Sequence, residues 1–193
     1  MITNIPINRS EDNISIHTAT ELDKEEYVAF ELAGELLQSL IKTGVDKEID
    51  IQGTIWNERY KSDCIMFAIV ENSSGKTIGF CEIEHVSSYE PTIGITLAKD
   101  YRRKGYGYLA AKMMIEEGWK VFAHPYFIWE LEQDNTASKK LVLKLGGKLV
   151  ENHCILPDHM IKAMCENGIE VDPNIYTDSV ERYKIDRPVS FDK

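Results

Sequence analysis

The stretch from Pro91 to Ile115 limits the fold more than any other part of the chain. It reads Pro91-Thr-Ile-Gly-Ile-Thr-Leu97, then Ala-Lys-Asp-Tyr-Arg102-Arg103-Lys104-Gly105-Tyr106-Gly107-Tyr108, then Leu-Ala-Ala-Lys-Met-Met-Ile115. Thr92 to Leu97 is short, apolar and β-branched, which is the composition of a strand. Gly105 and Gly107 let the backbone turn sharply, and Leu109 to Ile115 has the apolar density of a buried helix. A helix entered through such a loop aims the free N–H groups of its first turn at one spot. The helix dipole is positive there, and Arg102, Arg103 and Lys104 add full charges. The stretch therefore predicts a pyrophosphate cradle between a strand and a helix. The loop is not a Walker A, because Lys104 precedes the glycines and no Gly-Lys-Ser/Thr follows; it is not G-x-G-x-x-G either. Both patterns being absent, a nucleotide fold is disfavoured.

At 193 residues the chain reads as one domain, residues 1–193, long enough for a proper core. No apolar run approaches membrane-spanning length, and the first residues, Met-Ile-Thr-Asn-Ile-Pro-Ile, carry neither a basic nor an apolar signal region. A cytoplasmic protein with no membrane partner is expected. The net charge of −10 argues against a general nucleic-acid binder. The four cysteines form no C-x-x-C, and His153, Cys154, His159 and Cys165 fit no standard zinc spacing, so no metal site is predicted.

Along the chain, Ile14 to Thr18 alternates as a first strand, and Asp23 to Glu26 reads as a capping box. The apolar repeat Val28, Leu32, Leu36 and Leu40 then predicts an amphipathic helix ending near Gly44, with a shorter helix around Ile55 to Tyr60. Ile65 to Val70 and Lys76 to His85 predict a hairpin across Asn72-Ser-Ser-Gly75. In the second of these strands Phe80, Glu82 and Glu84 share one face. Gly94 suggests a bulge, and Gly118 a helix stop. Tyr126 to Leu131 predicts the next strand, and Asn135 an N-cap for a helix closed by Gly146. Lys148 to Ile155 and Val180 to Ile185 predict the last two strands, with an insertion at 156–179 that holds a short helix around Met160 to Met164. That insertion is a candidate cover for a site or contact with a second subunit, so a homodimer is among the open arrangements. The last residues, Arg187 to Lys193, read as a frayed tail.

Two ordered motifs carry a resemblance. Arg102-Arg103-Lys104-Gly105-Tyr106-Gly107 is similar to the R/Q-x-x-G-x-G/A signature of the GNAT superfamily of acyl-CoA-dependent N-acyltransferases. Downstream, Asn135, Ser138, Lys144 and Gly146 stand at the spacing of that superfamily's N-x-x-S-x-x-x-x-x-K-x-G helix. The resemblance implies an α/β (α+β) fold with a central mixed, mostly antiparallel sheet of about six to seven strands flanked by helices. Its fourth and fifth strands, here Thr92–Leu97 and Tyr126–Leu131, would be splayed. It further implies acetyl-CoA (coenzyme A) as cofactor and an amine acceptor as partner.

On that comparison the cofactor-binding candidates are Thr96, Leu97, Arg102, Arg103, Lys104, Gly105, Tyr106, Gly107, Tyr108, Asn135 and Ser138. Strand residues near Thr96 and Leu97 would bond the pantetheine amides as an added strand does. An attacking ammonium must lose a proton, and a carboxylate beside the cleft is the usual recipient; the catalytic candidates are Glu84, Glu82 and Glu90. Glu31 and Glu35, on the segment that borders the acceptor in this superfamily, are secondary candidates.

The chain departs from the pattern at Val142, where many members carry a general-acid tyrosine in the fourth helix, and at Gly147, where an aromatic is common. It resembles most the branch lacking that tyrosine. A thiol of pKa about 8.5 leaves tolerably without it. Three readings stay open: an N-acetyltransferase using a small-molecule amine or a protein N-terminus by direct attack, a catalytically inactive acyl-CoA-binding sensor or structural module of the same fold, and a peptide-binding domain without cofactor.

Overall fold

The computed structural model describes residues 6–32, 56–57, 63–153 and 180–191. Its strands are β1 (Asn8–Glu11), β2 (Ile14–Thr18), β3 (Cys64–Glu71), β4 (Lys76–Glu84), β5 (Thr92–Leu97), β6 (Tyr126–Glu132), β7 (Lys148–His153) and β8 (Val180–Asp186). The helices are α1 (Lys24–Leu32), α2 (Tyr106–Val121) and α3 (Thr136–Lys144). The strands form one eight-stranded sheet in the order β1-β2-β3-β4-β5-β6-β8-β7. Every neighbouring pair is antiparallel except β5 and β6, which run parallel and meet at one register pair, Thr92 with Ile128. The expected mixed sheet and its splay are both present.

The strand the sequence did not announce is β1. Asn8-Arg-Ser-Glu has no apolar alternation, and what holds it is charge on an edge: Arg9 pairs with Glu116 and Glu117 of α2, and Lys112 of α2 pairs with Glu11.

Alternation along the strands sends side chains to two cores. On one side α2 packs Met113 and Met114 against Ile16, Phe67, Ile83, Phe127 and Trp129, all buried. On the other, Tyr27 and Val28 of α1 cover Met66, Ala68 and Phe80 together with Trp56, and Tyr27 meets the Trp56 and Phe80 rings edge-on at 5.8 and 5.1 Å. Each such side chain contributes about 1.5–3 kcal/mol by leaving water. Truncating Phe67, fully buried in the larger core, costs about 3–5 kcal/mol.

Three local expectations are corrected. The capping box lies one turn earlier than Asp23 to Glu26: Thr20 caps, its side chain taking the Leu22 N–H, and Asp23 returns a bond to the Thr20 N–H. Gly118 does not end α2, which continues to Val121. A Cβ there would lie 2.6 Å from Ile83 and 2.9 Å from Phe127, so this glycine lets the helix close on the sheet. Gly94 is not a bulge, since β4 and β5 pair without a register shift from Gly79–Leu97 to Glu84–Thr92.

The predicted helix continuation to Gly44 with Glu35, the rest of the 55–60 helix beyond Trp56 and Asn57, the 156–179 insertion and its helix, Cys154, His159, Cys165 and residues 192–193 lie outside the described residues. The stretch 187–191 is not frayed: Arg187 donates to the Phe122 carbonyl at 3.0 Å and Phe191 packs on the Trp119 ring. The hairpin turn at 72–75, the Asn135 cap and the αL stop at Gly146 (φ 88°) stand where expected.

Candidate active site

β5 and β6 part immediately after their one rung, and the gap opens toward the start of α2 and α3. In the antiparallel pair with β4, Ala98 donates to the Ile78 carbonyl at 2.9 Å. Alternation then turns the N–H and C=O of Thr96 toward β4 and those of Ile95 and Leu97 toward the gap. Gly79 fixes the same parity from across the strand, because a Cβ on it would lie 2.2 Å from the Thr96 carbonyl oxygen. Leu97 therefore turns its backbone toward the gap, as does Ile95, which was not singled out in the sequence. Thr96 lines the cavity without offering its backbone to it.

Beyond Leu97 the chain turns through Lys99–Tyr101 and enters α2 with Gly105 as N-cap at φ 86°, ψ −11°, a left-handed conformation suited to glycine. Arg103 also sits left-handed, at φ 62°, which costs a residue with a Cβ about 1–2 kcal/mol. Tyr108 and Leu109 bond back to the Gly105 carbonyl at 3.1 and 3.2 Å. The N–H groups of Gly105, Tyr106 and Gly107 have no partner among the described residues and point out of the helix start.

These elements bound a cavity of about 940 Å³ whose charged lining residues, Arg102, Arg103, Lys140 and Lys144, are all cations. In a chain of net charge −10, this concentration of positive charge is suited to a polyanion. Arg102 donates its Nε–H to the Leu97 carbonyl at 2.8 Å, and the Lys144 ammonium lies 3.9 Å above the Tyr108 ring.

Of the expected cofactor residues, Thr96, Leu97, Arg102, Arg103, Gly105, Gly107, Tyr108, Asn135 and Ser138 come together here. Lys104 and Tyr106 do not line the cavity. The Lys104 ammonium sits 4.9 Å over the Tyr101 ring, and Tyr106 stacks beside Tyr101 while its hydroxyl donates to Glu71 at 3.3 Å. Lys140 was missed, and Lys144 was noted in the motif without a binding role, although their i, i+4 spacing after the Asn135 cap placed both on one face.

At the start of α3 the Asn135 Oδ1 accepts the Ser138 N–H at 3.0 Å. Val142, at the position of the family's tyrosine, is fully buried, and a Cβ on Gly147 would meet it at 2.6 Å. The two departures from the family pattern thus form one packing pair.

The carboxylates lie on the opposite sheet face, with Phe80 and the smaller core. Glu82 is half-buried and stands across from Gly94; a methyl on Gly94 would sit 3.3 Å from Glu82 Oε1. Glu84 pairs in register with Thr92, at the closed end of the gap. Glu90 is engaged by Arg182 at 2.7 Å and accepts the Tyr126 hydroxyl at 3.3 Å. Burial, with the Glu90 charge adding, holds that hydroxyl above its ordinary pKa and so protonated. Arg182 also approaches Glu130 and Glu151, both at 3.4 Å. Cys81 is buried in the larger core. Desolvation, with Glu82 adding, pushes its thiol up, which leaves it a poor nucleophile.

A family model described as Acetyltransferase (GNAT) domain matches residues 14–148. No curated protein matches the sequence. Among solved structures, the chain is similar to a spermidine N-acetyltransferase from Vibrio cholerae in complex with CoA and spermine, at 9% identity over 91% of this chain and 96% of that one, TM-score 0.65. It is also similar to an acetyltransferase (GNAT family) from Bacillus anthracis, at 15% identity over 93% and 98%, TM-score 0.66. A GCN5-related N-acetyltransferase from Brucella melitensis matches at 14% identity over 93% and 78%, TM-score 0.63.

Proposed function

The chain belongs to the GNAT acetyltransferase family and is an acyl-CoA N-acyltransferase, and from that premise we propose that it acetylates a primary amine of a cationic small molecule or of a protein N-terminus. The observation that carries the reading is the gap between β5 and β6, which opens into a cavity whose charged lining residues are four cations.

Acetyl-CoA, when bound, supplies an acetyl thioester open to direct displacement by the amine in a ternary complex. Arg102 and Arg103, with the N–H groups of Gly105 to Gly107 and the positive end of α2, hold the diphosphate. Lys140 and Lys144 add charge from α3. The backbone of Ile95 and Leu97 and the side chains of Asn135 and Ser138 align the pantetheine arm, as an added strand is aligned by a sheet edge. Rate comes from holding the two reactants together and from backbone N–H groups that polarise the thioester carbonyl.

Glu82 takes the ammonium proton, directly or through a water. Glu82 stands in register with Gly94, a residue with no side chain, beyond the closed rung at Thr92 where Glu84 pairs. Glu82 and Glu84 put negative charge on that face, which favours the approach of a positively charged amine. The similarity to a spermidine N-acetyltransferase makes polyamines the first amines to test.

The test is calorimetry with CoA, followed by thiol release from acetyl-CoA with a panel of polyamines, aminoglycosides and peptides with free N-termini. Saturable CoA binding with turnover on one amine class supports the proposal. CoA binding with no turnover on any of them indicates a sensor, and absence of CoA binding overturns the reading of the cavity.

A further inference from the structure

Trp129 lies on β6, 3% exposed, within the larger core, and its indole nitrogen reaches out to one atom of the cavity wall. Nε1 lies 2.9 Å from Ser138 Oγ in the first turn of α3. An indole N–H only donates, whereas a hydroxyl has one proton and two lone pairs. The bond therefore runs from Trp129 to Ser138 and occupies one acceptor site on Oγ. The Ser138 O–H itself finds no acceptor among the described residues.

The neighbouring Asn135 is committed in the same sense, because its Oδ1 already takes the Ser138 N–H at 3.0 Å. That leaves one lone pair on Oδ1 and the two protons of Nδ2. Both side chains at the start of α3 thus face the cavity with protons to give.

We infer that Trp129 is a positioning residue: by taking one lone pair of Ser138 it fixes the orientation of that hydroxyl, so that its proton is held for an acceptor oxygen on the arm of the coenzyme. The inference deepens the acyl-CoA reading and rests on it. A phenylalanine at this position would place an aromatic ring in the core but offer no N–H to Ser138.

The experiment is calorimetry of the full chain with two probes. Coenzyme A carries the arm, and adenosine 5′-diphosphate carries the diphosphate without it. In Trp129→Phe the CoA dissociation constant rises about tenfold, the value of one hydrogen bond in a dry site, while that for adenosine 5′-diphosphate stays unchanged. Ser138→Ala shows the same selective loss, and Trp129→Phe added to Ser138→Ala brings no further loss, because both changes remove one interaction. Ser138→Thr, which keeps the hydroxyl, restores CoA affinity.

Unchanged CoA affinity in Trp129→Phe, additive losses in the double variant, or equal weakening of both probes overturns the inference. If Trp129→Phe fails to fold, the Ser138 series decides, and equal CoA affinity of the Ala and Thr variants overturns it. A wild-type chain that binds adenosine 5′-diphosphate and CoA equally well also overturns it. A wild-type chain that binds neither overturns the acyl-CoA reading itself.

Discussion

Arg102 donates its Nε–H to the carbonyl of Leu97 at 2.8 Å, so a single side chain closes the end of β5 and carries charge into the cavity. Arg102→Ala should raise the CoA dissociation constant about 10- to 100-fold, the range of a charge-assisted hydrogen bond. Arg102→Lys should recover only part of that, because a point charge cannot bond the carbonyl and a phosphate in fixed geometry. Lys104→Ala should leave binding nearly unchanged, since its ammonium lies over Tyr101. Calorimetry at two salt concentrations measures all three, and the wild-type affinity should fall with added salt.

Glu82 and Gly94 form a functional pair in the proposed chemistry. Glu82→Gln should lower kcat about 10²- to 10⁴-fold with little change in KM for acetyl-CoA, as expected for loss of a proton acceptor. Gly94→Ala places a methyl 3.3 Å from Glu82 Oε1 and should lower kcat by a smaller factor. Steady-state kinetics with saturating acetyl-CoA separates the two effects. An unaffected kcat in Glu82→Gln would assign the base elsewhere.

Gly79 tests the strand that frames the gap. A Cβ there would meet the Thr96 carbonyl oxygen at 2.2 Å, and backbone cannot turn aside as a side chain does. Gly79→Ala should destabilise the fold by about 1–3 kcal/mol, the cost of overpacking, and also weaken CoA binding, because Ile95 and Leu97 move with Thr96. Urea denaturation and calorimetry together read both consequences.

The start of α3 is tied to β8 by Lys139, whose ammonium lies 2.6 Å from Glu181, while the buried Tyr183 hydroxyl donates to the same carboxylate at 2.8 Å. The Lys139 bond first, and the Tyr183 bond second, hold the Glu181 carboxyl below its ordinary pKa. A depressed folded-state value gives stability that is present above the unfolded pKa of about 4.3 and lost as pH falls through the folded value. Glu181→Gln should therefore lower Tm by about 3 °C at pH 7, and the difference from wild type should shrink below pH of about 4. The lysine half of the pair, raised by the same bond, fades only in strong alkali. Melting curves from pH 3 to pH 8 follow the difference.

What could be read in advance was whatever depends on near neighbours in the chain. Thr92 to Tyr108 reads as strand, loop and helix because the β-branched run and the glycine pair act locally, and Asn135 declares itself as a cap for the same reason. Gly118 and Gly94 misled because their neighbours are distant. Gly118 answers to Ile83 and Phe127, and Gly94 to Glu82. Asn8 to Glu11 carries no apolar signal, since its partners are the charges of α2.

In the loop, the residue types were right and the directions were not legible. Successive residues entering a helix fan out by about 100°, which turns Tyr106 toward Glu71 while Gly107 and Tyr108 stay on the cavity. Ile95 was invisible for a related reason, because which backbone groups face the gap depends on pairing with Ile78, and side-chain pattern does not encode it.

The rung between Thr92 and Ile128 makes the sheet two panels sharing a single hinge pin, β1 to β5 on one side and β6, β8 and β7 on the other. A ligand lying along the opening stitches the panels together from the free end. Coenzyme occupancy should then register far from the ligand, as slower amide exchange along Ile95, Leu97 and the facing stretch of β6, while the pairs between β3 and β4 stay as they were. The molecule is a sheet with one seam left unsewn, and its cargo is the thread.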